Sequence, residues 1–188
     1  MRKSLLVLGI AVLLPLALAA GGATFTPVSG VAWMTIPPDG GHVKCIEGTP
    51  TGPWPPCSPG SRTQIRGLNL TYRQEFQAQG GLDPLHTGTR TVVFNANLDL
   101  EGRGIVWGTW RVVLDAGIGE WEGTFTGSAQ EWFGAAEAQV VGRGTEGVVE
   151  GMQLRLLLSY EHFPIDPGTG LPGLERITGY RLDPKGGK

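Results

Sequence analysis

The sequence predicts an all-β protein, an antiparallel β-barrel of about eight strands, with a β-sandwich as the alternative. Three observations carry that expectation. Between Gly102 and Gly151 stand 12 glycines and four tryptophans, set among short runs of alternating polarity. Glycine at that density opposes helix, because each one loses extra backbone freedom on folding. Runs such as Val106, Gly108, Trp110, Val112 and Leu114 have period two, which puts one strand face on a core and the other toward water. Glycine-rich turns at steady spacing then join the runs into consecutive hairpins.

At the N-terminus, Arg2 and Lys3 give a basic start, Leu5 to Leu18 an uncharged apolar run, and Ala17-Leu18-Ala19 a small-x-small signal-peptidase site. Residues 1–19 therefore read as a cleaved signal peptide rather than an anchor. A spanning helix needs ~20 apolar residues, and Pro15 and Gly21-Gly22 end this run early. The expected destination is the periplasm or the medium, with no membrane association after cleavage. Cleavage removes two of the 15 basic residues and none of the 17 acidic ones, leaving 13 minus 17, a net charge of −4. An acidic chain without runs of like charge argues against a nucleic-acid partner. Residues 20–183 suit a single domain with its own core, and 184–188 read as a frayed tail.

The first strand is expected over Thr24 to Ile36, with Phe25, Val28, Val31, Trp33 and Met34 as its apolar members. Residues 37–61 form a loop rich in proline and glycine that holds Cys45 and Cys57, the only cysteines. In an exported chain two cysteines pair, and such a bridge contributes ~3 kcal/mol in the chain-entropy model. The C-x-x-C spacing of a redox pair is absent. Leu68, Leu70, Tyr72 and Phe76 mark the next strand, with Gln74 as a polar interruption, and Gly80 to Gly88 is a polar turn region.

Val92, Phe94, Ala96, Leu98 and Leu100 give the cleanest alternation, turning at Glu101–Gly104 into Val106–Leu114. A second hairpin through Asp115–Gly119 returns along Trp121, Gly123 and Phe125, with Glu120, Glu122, Thr124 and Thr126 on the other face. Ser128–Ala138 stays open between a helical turn and a loop. Val140–Val149, Met152–Tyr160 and Ile177–Leu182 complete the strands, the last two separated by the loop Pro164–Pro172. An outer-membrane barrel is the alternative to a water-soluble one, but Arg111, Arg155, Glu120 and Glu122 fall opposite the aromatics, as a water-facing wall requires.

Gly108-Thr109-Trp110, then Gly119 through Gly127 (GEWEGTFTG), and Gly142-Arg143-Gly144 leading into Glu150-Gly151-Met152, resemble a group of secreted bacterial proteins built like the allene oxide cyclase and dirigent barrels. The resemblance covers about Arg90 to Tyr160 and rests on glycine and tryptophan. It implies a barrel fold. No catalytic residue of that group can be placed position by position in this chain, so none is carried over. A lipocalin G-x-W motif lies near the first strand, whereas Gly119-Glu120-Trp121 is mid-chain.

Catalytic motifs are not evident. His42 and His86 sit in a loop and a turn and are expected to be solvated, while His162 shares the parity of Met152–Tyr160 at the barrel mouth. Three scattered histidines make no metal site, and no G-x-S-x-G elbow occurs. Glu120, Glu122 and Glu161 read as surface carboxylates rather than a glycosidase pair. No cofactor is expected. Trp110, Trp121, Phe125, Tyr160 and His162 are the candidates for lining an interior ligand pocket. Trp107 falls on the opposite parity from Trp110 and is the candidate interface residue. The leading expectation is a non-catalytic exported barrel that binds a small hydrophobic ligand or associates with itself. The alternative is a cyclase- or isomerase-like barrel enzyme for a small apolar substrate, with Tyr160 or His162 in acid–base roles.

Overall fold

Period-two alternation builds the wall of this protein. The computed structural model describes residues 23–49, 57–58, 60–130, 136–160 and 174–184. The signal segment 1–19, Glu161, His162, the loop Pro164–Pro172 and residues 185–188 of the expected tail lie outside them. Among the described residues ten strands are present: β1 (Thr24–Asp39), β2 (His42–Ile46), β3 (Arg62–Ala78), β4 (Gly81–Leu82), β5 (Gly88–Leu98), β6 (Gly104–Leu114), β7 (Gly119–Ala129), β8 (Ala136–Gly147), β9 (Gln153–Tyr160) and β10 (Glu175–Asp183). No α-helix occurs among the described residues; a single 3₁₀ turn, Asp115–Gly117, links β6 to β7.

All pairings are antiparallel, and the order β1-β10-β9-β8-β7-β6-β5-β3 closes on itself through β1 and β3. The result is a closed eight-stranded barrel, and β2 and β4 pair with β3 outside that circuit. Closure removes the open edges that make an isolated sheet prone to association. Alternate side chains then fill the interior: Val92 and Ala96 of β5, Val112 and Leu114 of β6, Trp121 of β7, Val140 of β8 and Leu154–Leu158 at alternate positions of β9. The outward positions of the same strands include Arg111, Glu122, Arg143 and Arg155, all exposed.

Two expectations need correction. Residues 37–61 are not wholly irregular. β1 runs on to Asp39, and β2 pairs His42–Ile46 with Arg66–Arg62 of β3, because β3 is long enough to extend past the barrel. Cys45 and Cys57 are joined in a disulfide that ties β2 to the buried residue 57. In β1 the inward residues are Val28, Ala32 and Met34, while Phe25 is exposed and Val31 and Trp33 face outward, half-buried. Gly30 sits between Val28 and Ala32 on the inward face, where an added Cβ would come within 2.9 Å of the Phe76 ring. The second correction, at His86, belongs to the site.

Candidate functional site

Two places bring polar chemistry together, one inside the barrel and one on its wall. The inner one begins with the loop between β4 and β5. Asp83 caps its own turn by accepting a hydrogen bond from Leu85 N–H at Oδ1, 2.9 Å. Its other oxygen, Oδ2, lies 2.8 Å from Nδ1 of His86. This turn folds under one end of the barrel, so His86 is 1% exposed rather than solvated as its turn position suggests. The imidazole stacks on Trp121, with ring centroids 5.6 Å apart, and lies 5.2 Å from the Phe76 ring.

The turn is wired to the strands above it. Gln74 Nε2 donates to the His86 carbonyl at 2.6 Å, Trp121 Nε1 to the Leu85 carbonyl at 2.8 Å, and Phe76 N–H to Thr87 Oγ1 at 3.1 Å. The polar interruption at Gln74 therefore has a structural reason. Burial works against charge on Asp83, but the His86 hydrogen bond and charge, the Leu85 N–H and Arg181 outweigh it and hold the carboxyl below its usual range. Nε2 of His86 is buried and has no hydrogen-bond partner among the described residues.

Deeper in the same interior, Arg90 of β5 reaches Glu175 of β10 with two hydrogen bonds, NH1 to Oε1 at 2.8 Å and NH2 to Oε2. The Arg90 guanidinium lies 4.4 Å from the centroid of the Tyr72 ring on β3. Neither partner was singled out from the sequence. Their parity was a signal, since Arg90 precedes Val92 and Glu175 precedes Ile177 on the inward face.

The sequence candidates separate. Trp110, Trp121 and Phe125 are all in the core. Trp110 spreads over glycines of the neighbouring strands: a Cβ at Gly142 would lie 2.4 Å from its Cζ2, and one at Gly123 2.8 Å from its Nε1. Phe125 stacks on Phe94 at 6.2 Å. The side chain of Tyr160 and all of His162 lie outside the described residues. Trp107 faces outward opposite to Trp110 and is half-buried. Arg66 covers it at 5.0 Å from the ring, held there by bonds to the Ala96 carbonyl and Asn97 Oδ1. That cover rests on a bulge at Arg66-Gly67, where the register with β5 shifts and Asn95 Oδ1 accepts from Gly67 N–H.

The second place is on the outer wall. Over β5–β8 an open depression of about 740 Å³ is floored by Trp110, Gly123 and Gly142 and lined by Thr91, Val93, Thr109, Thr124 and Val141. Arg111, Glu122 and Arg143 stand along one side of it. Arg111 is bonded to Glu120 through its Nε and NH2, at 2.6–2.8 Å. Glu120 and Glu122 are thus wall carboxylates, as read from the sequence. Among the described residues, no cluster of three or more His, Cys, Asp or Glu side chains is placed to hold a metal ion, and no helix is long and apolar enough to cross a membrane.

Comparison of the chain with protein-family models, curated proteins and solved structures finds no match.

Proposed function

We propose that this is an exported, non-catalytic binding barrel whose working surface is the outer wall over β5–β8, which holds a small apolar ligand or another copy of the chain. The observation that carries this reading is the contrast between the two sides of that wall. Inside, Trp121 and Phe125 are spent on packing in the core, and Trp110 packs there too while its indole reaches the floor of the depression. Outside, the same strands present a depression of about 740 Å³ lined by threonine and valine. Short methyl-bearing side chains over a glycine floor suit contact with an apolar group at little side-chain entropy cost. The disulfide fits an oxidising destination, and the resemblance to secreted allene oxide cyclase and dirigent-like barrels supports the same setting.

The test is native mass spectrometry of the mature chain purified from its own host, before and after unfolding, repeated on two variants. Thr109→Trp fills the depression, and Phe125→Ala opens space in the interior. The reading expects a bound mass or an oligomer that Thr109→Trp removes and Phe125→Ala leaves. A bound mass lost only with Phe125→Ala moves the site indoors and sinks the outer-wall reading. That outcome favours the second reading, a cyclase- or isomerase-like barrel enzyme. The observation behind it is His86, whose Nδ1 is fixed by Asp83 while Nε2 is left open inside the barrel, as a general base requires.

A further inference from the structure

Resting on the outer-wall reading, we propose that the occupant of the β5–β8 wall is a second copy of this chain, docked face to face about a two-fold axis that runs along the strands between β6 and β7. The argument comes from register. One row across the wall reads Val93, Thr109, Thr124, Val141, each paired with the next. The row beside it reads Thr91, Arg111, Glu122, Arg143, paired in the same way.

Rotation about the proposed axis lays β6 of one copy on β7 of the other, and β5 on β8. Thr109 then meets the partner's Thr124, and Val93 meets the partner's Val141: hydroxyl-methyl on hydroxyl-methyl, methyl on methyl. In the charged row, Arg111 meets the partner's Glu122, and by symmetry Glu122 meets the partner's Arg111. One operation matches three of the four pairings it creates, which is what an isologous interface demands of a single patch. Arg143 falls opposite the partner's Thr91, whose short side chain leaves the depression open for the guanidinium. Arg143 makes no ion pair among the described residues. Two arginines and the two glutamates Glu120 and Glu122 make the patch neutral, so two copies do not meet like charge.

Four strands ~4.8 Å apart, each contributing about five residues of ~3.3 Å, span roughly 20 by 17 Å. That is below the ~800 Å² per partner of a standard interface. The dimer is therefore weak, with a dissociation constant on the order of micromolar or higher. Charge reversal supplies the test. Sedimentation of the mature chain over a wide concentration range is expected to show a reversible dimer. Arg111→Glu and Glu122→Arg alone each weaken it at least about tenfold, because each sets two like-charge contacts. The double variant, with both exchanges, restores association to within about threefold, since the reversed pairs match again. Circular dichroism melts of each variant guard against loss of fold.

A wild-type chain that stays monomeric at every concentration overturns the proposal, as does a dimer indifferent to the single reversals or not recovered by the double exchange. A monomer whose Val93 and Val141 methyl signals still shift when a small apolar probe such as decanol is added overturns the dimer alone and leaves the wall as a ligand site. A monomer with no such shift overturns both.

Discussion

Two Arg–Glu pairs in this barrel have nearly the same geometry and opposite surroundings. Arg90 and Glu175 meet through two hydrogen bonds with side chains 6% and 0% exposed. Arg111 and Glu120 meet through three, with side chains 52% and 16% exposed. Bond count does not rank them. The inner pair joins residues 85 apart in sequence and spans from β5 to β10, so it holds only if the barrel is closed around it. The outer pair is screened by water and contributes little to folding. It is also free to exchange partners at no great loss, which is what a docking surface needs and a core cannot tolerate.

The sharpest way to break the comparison is Glu175→Ala. It leaves the Arg90 guanidinium buried without its counter-charge, which costs about 3–5 kcal/mol and lowers the melting temperature on the order of 10 °C. Arg90→Met combined with Glu175→Leu removes both charges, and should recover most of that loss, because the burial penalty goes with them. Urea or thermal unfolding reads both. A small effect of Glu175→Ala would mean that water reaches Arg90 and that the interior is not dry.

The same wall gives a second contrast one residue apart. Gly142 points inward under the Trp110 indole, where a Cβ would sit 2.4 Å from Cζ2, and the carbonyl of Glu122 at 3.1 Å blocks escape. Gly142→Ala should cost about 1–3 kcal/mol as an overpacked core. Val141 is its outward neighbour, 48% exposed, and Val141→Ala should stay within about 0.5 kcal/mol. Near-equal effects would show that the wall lacks the two-sided character assigned to it.

How much of this was legible in the sequence depends on whether a residue's role is set by its neighbours in the strand. Parity alone sets Trp110, Trp121 and Phe125 on one strand face, as candidates for an interior pocket, and Trp107 on the other. Parity would also have set Arg90 and Glu175 inward, had either been singled out, but nothing local says that an arginine on β5 meets a glutamate 85 residues later. His86 was misread as solvated for a different reason. A polar turn ordinarily stays on the surface. This one is carried under the barrel by long-range bonds from Gln74 and Trp121. β2 was hidden inside a proline- and glycine-rich stretch because its order comes from pairing with β3, not from its own alternation. The outer depression has no linear signal at all, since four strands contribute to it.

Acid and salt together separate the Asp83 and Asp115 carboxylates. The hydrogen bond from Arg73 leads in holding Asp115 below its usual range on the exposed 3₁₀ turn, and Asp83 is held low beneath the barrel. A carboxyl whose folded value is depressed adds stability above its unfolded value, ~3.9, and loses it as pH falls through the folded value. Both therefore weaken the fold below about pH 4. Salt tells them apart, because screening acts on the exposed pair and not on the buried contact. Asp83→Asn should flatten the acid limb of a melting-temperature curve in high salt, whereas Asp115→Asn should do so only in low salt. Equal salt sensitivity would show that water reaches the Asp83–His86 contact.

Arg111→Ala has the smallest effect on folding and the most informative one on assembly. Its guanidinium is half exposed and its bonds to Glu120 lie in solvent, so the melting temperature of dilute protein should move by less than about 2 °C. In a face-to-face dimer the same side chain meets the partner's Glu122 twice over, and its loss should weaken association several-fold while slowing encounter at low salt. Measuring both on one variant isolates what the outer pair is for. A marked loss of folding stability with unchanged association would make Arg111 a structural brace like Arg90, and the difference between the two sides of the wall would then be one of exposure and not of role.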